Sequence, residues 1–144
     1  MTINLQTTNP EQLNDRVSGA QTALMLDELN NLARARYTAA GAITPGGVAL
    51  LQTGAASAMT LAQPVAGSQL QGGNDFMRMR IVALDAHAYT VTTAANGISG
   101  ASGTGDTLTC AGSVGDSVEL VAFNGQWYIS RVTTGTPSWA LTEV

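Results

Sequence analysis

The side chains best suited to chemistry in this sequence are few and scattered. Asp85-Ala86-His87 places a carboxylate and the only histidine two residues apart, on one face if the segment is extended. Such a histidine could act as a general base. Base catalysis also needs a nucleophile and an orienting partner, and neither is marked nearby. A metal site needs three or four convergent ligands, and there is no second histidine. A turn histidine bonded to Asp85 or to backbone is the simpler expectation. Asp75, Asp106 and Asp116 each follow Gly or Asn at a spacing that matches no calcium loop, so they are expected to build turns. Gly97-Ile98-Ser99-Gly100-Ala101-Ser102-Gly103 lacks the Lys-Ser/Thr ending of a phosphate loop and any helix to follow. Cys110, alone in the chain and set in an apolar strand without a basic neighbour, is expected in the core. A single cysteine excludes an intrachain disulfide and a cysteine zinc cage. No catalytic, cofactor or metal site is expected, and the chain does not read as an enzyme.

Aromatic and arginine side chains offer binding rather than catalysis. Trp127 and Trp139, with Tyr89 and Tyr128, could stack on sugar rings, but in a chain only 5% aromatic they are needed first for the core. In Met77-Arg78-Met79-Arg80-Ile81 the two arginines share one face of an expected strand, with Met77, Met79 and Ile81 on the other. Arg34 and Arg36 stand near the expected end of a helix, where they would meet its dipole. Arginine is favoured over lysine at interfaces, so these four are candidate contacts to carboxylates on a partner. For Arg78 and Arg80 the plainer role is a solvated strand that discourages aggregation.

Composition points the same way. A chain of 144 residues suits one domain plus an appendage, and its 44% hydrophobic share is enough for a core. Charged residues are only 11%, against about 25% in an ordinary soluble domain, and lysine is missing altogether. A surface so poor in charge resists association weakly, which suits a protein destined for an assembly. The net charge is −4, and the sequence shows no clustered basic patch of the kind that displaces counterions from phosphates. Nucleic acid is therefore not expected as a partner. Nor is a membrane, since no stretch approaches the roughly 18 apolar residues of a spanning helix. Met1-Thr2-Ile3-Asn4-Leu5-Gln6 has neither a basic start nor an apolar run, so no secretion signal is expected.

The elements that must position these residues divide the chain into an N-terminal arm and helix over 1–43 and a β-domain over 44–144. Residues 1–8 are polar apart from Met1, Ile3 and Leu5 and read as an arm that orders on a partner. Asn9-Pro10-Glu11-Gln12 is a helix start, with Asn9 as N-cap and Pro10 in the first helical position. Leu13, Val17, Ala20 and Leu24 recur at helical spacing, and Met25, Leu29 and Leu32 continue on a rotated stripe. One helix from about Pro10, or a shorter one from Gly19 to Tyr37, fits this pattern. Leu5 of the arm and Leu24, Leu29 and Leu32 of the helix are candidate interface residues, the helix packing on the β-domain or between subunits.

From Thr44 the chain reads as short strands and turns. Val48 to Leu51 and Ala58 to Ala62 are expected as a pair, followed by strands within 76–84 and 88–93 and a loop over 97–105. Strands over 107–111, 117–123, 126–132 and 138–144 complete the set. Closely spaced strands with no helix between them predict a mainly β fold, a small antiparallel sandwich or barrel. Asn124-Gly125 supplies the two positive-φ positions of a tight hairpin turn. Its register places Ala122 opposite Trp127, Leu120 opposite Ile129 and Val118 opposite Arg131 on one side. On the other side Phe123 opposes Gln126, Val121 opposes Tyr128 and Glu119 opposes Ser130. Trp127 and Ile129 belong in the core. Val121, Phe123 and Tyr128 must meet either a second layer or another subunit.

These residues resemble a known family. Gly47-Val48-Ala49-Leu50-Leu51 comes first, then Ala58-Met59-Thr60-Leu61-Ala62-Gln63-Pro64, then Ala86-His87-Ala88-Tyr89-Thr90-Val91-Thr92 and a Gly/Ser/Thr loop. The order closes with Gly115-Asp116-Ser117-Val118-Glu119-Leu120-Val121-Ala122-Phe123-Asn124-Gly125-Gln126-Trp127-Tyr128. From Gly47 to Tyr128 this is similar to the β-domain of small capsid decoration, or cement, proteins of tailed bacteriophages. The resemblance implies a structural virion protein, made in the host cytoplasm, that sits as a homotrimer on the outside of an expanded shell. There it would bind the major capsid protein and reinforce the junctions between its subunits, with the N-terminal segment as anchor. Similar β-domains also occur in phage fibre and tail proteins, which implies the alternative of a module that binds a host glycan; that alternative would require an exposed aromatic pair, with Trp139 as its first candidate.

Overall fold

Alternation of inward and outward side chains governs the chain from Arg34 onward. The computed structural model describes residues 34–133 and 139–142. Its strands are β1 (Arg34–Tyr37), β2 (Gly41–Ile43), β3 (Gly47–Leu51), β4 (Ser57–Leu61), β5 (Arg78–Ala83) and β6 (Tyr89–Thr92). They continue as β7 (Ile98–Gly100), β8 (Gly103–Gly105), β9 (Thr107–Cys110), β10 (Ser117–Phe123), β11 (Gln126–Val132) and β12 (Ala140–Thr142). In β5 exposed Arg78 and Arg80 alternate with buried Met79, Ile81 and Ala83; in β3 buried Gly47, Ala49 and Leu51 alternate with half-buried Val48 and Leu50. Such period-two patterns require one face of a sheet to be covered. Two mixed sheets cover each other, a seven-stranded one in the order β1-β3-β5-β10-β11-β7-β8 and a five-stranded one in the order β12-β9-β6-β4-β2. The protein is a small β-sandwich.

The expected strand pairing is corrected in one respect: the sheets are mixed rather than antiparallel. The first six strands alternate between the two sheets, so that β1, β3 and β5 run parallel in one, and β2, β4 and β6 run parallel in the other. A parallel pair needs a crossover, for which a helix is the common solution. Here each crossover is a strand of the opposite sheet. The lack of helices between strands therefore did not imply antiparallel pairing. For the same reason Val48 to Leu51 and Ala58 to Ala62 are not a hairpin: β3 and β4 lie in different sheets.

The β-structure also begins earlier than Thr44. Residues 34–37, expected as a helix end, form β1 and pair with β3, while Gly41–Ile43 pairs with β4. Hydrogen bonding to a distant strand overrides the weak local preference of Arg-Ala-Arg-Tyr. The rest of the expected arm and helix, with Leu5, Leu24, Leu29 and Leu32, lies outside the described residues. The loop expected over 97–105 contains the short antiparallel pair β7 and β8 instead, with Ile98 fully buried.

The β10–β11 hairpin follows the expected register for its first four pairs, with Asn124 at φ 48° and Gly125 at φ 79° in the turn. Beyond Leu120 and Ile129 the register shifts, so Glu119 pairs with Arg131 and Val118 with Val132. Ser130 is the extra residue of a β-bulge, its hydroxyl donating to the Glu119 carbonyl at 3.2 Å. Regular pairing would have turned Arg131 inward opposite Val118, which is fully buried. The bulge instead delivers Arg131 to the outer face. Between the sheets Trp127, Leu51, Met59, Met79, Ile81, Tyr89, Leu108 and Leu120 are fully or almost fully buried. Each large apolar side chain so buried contributes about 1.5–3 kcal/mol. Trp127 satisfies its polar edge by donating from Nε1 to the Ala62 carbonyl at 3.0 Å.

Candidate docking face

One surface gathers nearly every described residue that the sequence marks as a contact. It is the outer face of the seven-stranded sheet, and its rows follow from the strand registers. Arg34, Val48, Arg80, Glu119 and Arg131 stand side by side across β1, β3, β5, β10 and β11. The next row runs Arg36, Leu50, Val82 and Ser117. On the other side of the central row, Arg78, Val121, Tyr128 and Ser99 align, and beyond them Phe123 faces Gln126. Neighbouring strands lie about 4.8 Å apart, so the central row brings three arginines and one glutamate within five strand widths. The seven expected contact residues within the described part, Arg34, Arg36, Arg78, Arg80, Val121, Phe123 and Tyr128, all share this face.

Arg131 joins them, and the sequence reading missed it because only the Ser130 bulge turns it outward. Five of the six arginines of the chain therefore lie on one face, with Glu119 as its one glutamate among the described residues, on a protein whose net charge is −4. The expectation that the chain has no basic patch is corrected accordingly. Arginines spaced far apart in sequence become neighbours through sheet pairing. Arg80 is held in place, donating from Nη2 and Nε to Ser117 Oγ at 3.0 and 3.3 Å and approaching Glu119 to 4.0 Å. Among the described residues no carboxylate pairs with Arg34, Arg36, Arg78 or Arg131. A shallow groove of about 230 Å³ runs between Val48, Arg78, Arg80, Glu119, Val121 and Ser130.

At one end the face turns aromatic. The Phe123 ring lies 5.6 Å from Phe76 and 6.4 Å from Tyr128, at interplanar angles of 45° and 60°. All three are exposed, Phe76 by 66%, Phe123 by 46% and Tyr128 by 38%. Phe76 also adopts φ 66°, left-handed backbone that a bulky residue seldom occupies. It is locked there from both sides: its N–H donates to the Ala122 carbonyl at 2.7 Å, and the adjacent Asp75 carboxylate accepts the Asn124 N–H at 2.8 Å. Sequence reading did not single out Phe76. Its one legible signal is the Gly-Gly-Asn-Asp turn immediately before it.

The other candidates are structural. Asp85 accepts hydrogen bonds from the Tyr89 hydroxyl and from the Gly54 N–H, the latter at 3.0 Å, so that it ties the 52–56 loop to the start of β6. The Tyr89 hydroxyl is the main cause holding the Asp85 carboxyl below its ordinary value, with Gly54 and His87 adding to it against desolvation. Burial, then the bond to Asp85, pushes the Tyr89 phenol up. No group of three or more His, Cys, Asp and Glu side chains placed to hold a metal occurs among the described residues. Cys110 is buried and its thiol is raised by that burial, the state of a core residue rather than a nucleophile. Trp139, whose exposure the glycan-binding alternative requires, is only 4% exposed. No protein-family model and no curated protein matches this chain.

Proposed function

We propose that this protein is a structural component of a phage particle that binds the outer surface of the capsid as a homotrimer and stabilises the mature shell. The observation that carries the reading is the outer face of the seven-stranded sheet, on which exposed aromatics and arginines, four of them without a carboxylate partner among the described residues, share one surface. Arginine and aromatic side chains are the types enriched where proteins dock on proteins. The likeness of residues 47–128 to capsid decoration proteins supports the same role, and the low charge of the chain suits a protein buried in an assembly. The role requires no catalytic step and no cofactor.

Expanded, undecorated shells mixed with the purified protein test it. Co-sedimentation, and cryo-microscopy density on the outside of the shell with threefold symmetry, is the expected result. A strict monomer by gel filtration with light scattering that also fails to sediment with shells would sink the proposal. The fibre or tail reading, a glycan-binding module, draws on the exposure of Phe76, Phe123 and Tyr128. Those rings tilt against each other rather than forming a flat platform, which favours docking on a protein. A hit on a glycan array that is lost in Tyr128→Ala would reverse that preference.

A further inference from the structure

The outer face carries two features that burden the isolated protein. Arg34, Arg36, Arg78 and Arg131 share one face without a carboxylate partner among the described residues, and the pairs Arg34/Arg36 and Arg78/Arg80 each set two like charges two residues apart on one strand face. Phe76 is both exposed by 66% and held in left-handed backbone, a conformation that strains a bulky side chain. Glycine or asparagine would occupy that position with less strain. Neither feature serves the core.

We infer that this face is completed by an acidic protein surface, whose carboxylates pair with the arginines that have no carboxylate partner among the described residues, while an apolar group seats against Phe76 and Phe123. The inference rests on the docking role proposed above and names the chemistry of the partner. Charge complementarity selects it: among the described residues five arginines stand against Glu119, with Asp75 engaged by the Asn124 N–H at the aromatic end, so the face carries an excess of positive charge on a chain of net −4. A second copy of the same face fits poorly, because twofold pairing would set arginine against arginine. A nucleic acid also fits poorly. Glu119 stands in the central row between Arg80 and Arg131, where phosphates would have to pass. The rings meet at 45° and 60° and do not present parallel faces to successive bases. Valine and leucine between the arginines suit a protein surface better.

The full-length protein tests this against three probes: expanded capsid shells, poly-L-glutamate and single-stranded oligothymidylate. Two variants are compared with the parent, one carrying Arg34→Gln, Arg36→Gln, Arg78→Gln and Arg131→Gln together, the other Phe76→Gly. Shells and polyglutamate should both bind, more weakly as salt rises from about 50 to about 500 mM. The fourfold variant should lose about tenfold or more in affinity for both. Phe76→Gly should weaken binding to shells severalfold and leave polyglutamate binding alone, since that probe has no apolar group to seat. Its melting temperature should stay level or rise as the backbone strain is released, which separates docking from folding.

If shells bind and neither variant nor salt changes the affinity, the face is not the docking surface, although capsid attachment itself survives. Arginine-dependent binding of polyglutamate without binding to shells would uphold the acidic partner and remove the capsid. Tighter binding of oligothymidylate than of polyglutamate would overturn the inference in favour of a nucleic acid. Self-association that disappears in the fourfold variant would overturn it in favour of a second copy.

Discussion

The two faces of the seven-stranded sheet are made by the same strands and yet behave as two different surfaces. On the inner face Leu51, Met79, Ile81, Leu120 and Trp127 are at most 2% exposed, each packed against the five-stranded sheet. On the outer face, one residue away along the same strands, stand Arg78, Arg80, Glu119, Phe123 and Tyr128. The inner face is closed by the chain itself. The outer face combines arginine and aromatic side chains that make few contacts with the rest of the fold. The contrast separates what these residues do: inner positions set stability, and exposed outer positions contribute little to the core.

Substitution on the inner face should have the largest effect. Trp127→Ala leaves a large cavity and orphans the Ala62 carbonyl, and should lower stability by about 3–5 kcal/mol in urea unfolding followed by circular dichroism. A loss below about 1 kcal/mol would break the comparison at its strongest point. The bulge that keeps the faces apart is a subtler test. Deleting Ser130 should restore regular pairing with Arg131 still opposite Glu119, so the hairpin should survive with a loss of about 1 kcal/mol. Collapse of the fold would mean that the bulge does more than absorb one residue.

A smaller effect is confined to acid. The folded-state value of Asp85 is depressed, chiefly by the Tyr89 hydroxyl, so its carboxylate adds stability above the unfolded value near 4. That contribution is lost as pH falls through the lower folded value. Asp85→Asn should therefore flatten the acid limb of the stability curve, measured as melting temperature between about pH 2 and pH 5. An unchanged acid limb would show that the bond between Tyr89 and Asp85 contributes nothing on titration. The smallest effects belong to the outer face. Phe123→Ser and Glu119→Gln should each shift stability by no more than about 0.5 kcal/mol, because Phe123 is 46% exposed and the Arg80–Glu119 pair is an exposed one at 4.0 Å. On shells the two should diverge. Phe123→Ser weakens attachment by removing part of the aromatic end, and Glu119→Gln strengthens it by removing the one negative charge of the central row.

Much of the fold was legible because it is locally encoded. Strands β10 and β11 have the bounds read from the sequence, and β3, β4, β5, β6 and β9 fall within about a residue or two of theirs. The alternation of Met77-Arg78-Met79-Arg80-Ile81 told the two faces of β5 apart, and Asn124-Gly125 set the first four pairs of the hairpin. What was misread has a common cause. Arg34–Tyr37 reads as a helix end and Ile98–Gly100 as a loop because each segment is short and its pairing partner, β3 or β11, lies outside the local sequence. Phe76 escaped notice because nothing in its neighbours announces a positive φ at a phenylalanine.

By itself the sequence determined where most strands lie, which residues of β5 and β10 point apart, and that charged residues are scarce, at 11% of the chain. These follow from side-chain periodicity and turn chemistry, which act over a few residues. The tertiary structure decided that the sheets are mixed, that Arg34 and Arg36 join Arg78 and Arg80, and that Ser130 turns Arg131 to the same side. Those outcomes depend on which strands pair across the molecule, and pairing is chosen by the packing of the whole sandwich. A basic face in an acidic chain is a property of that pairing alone.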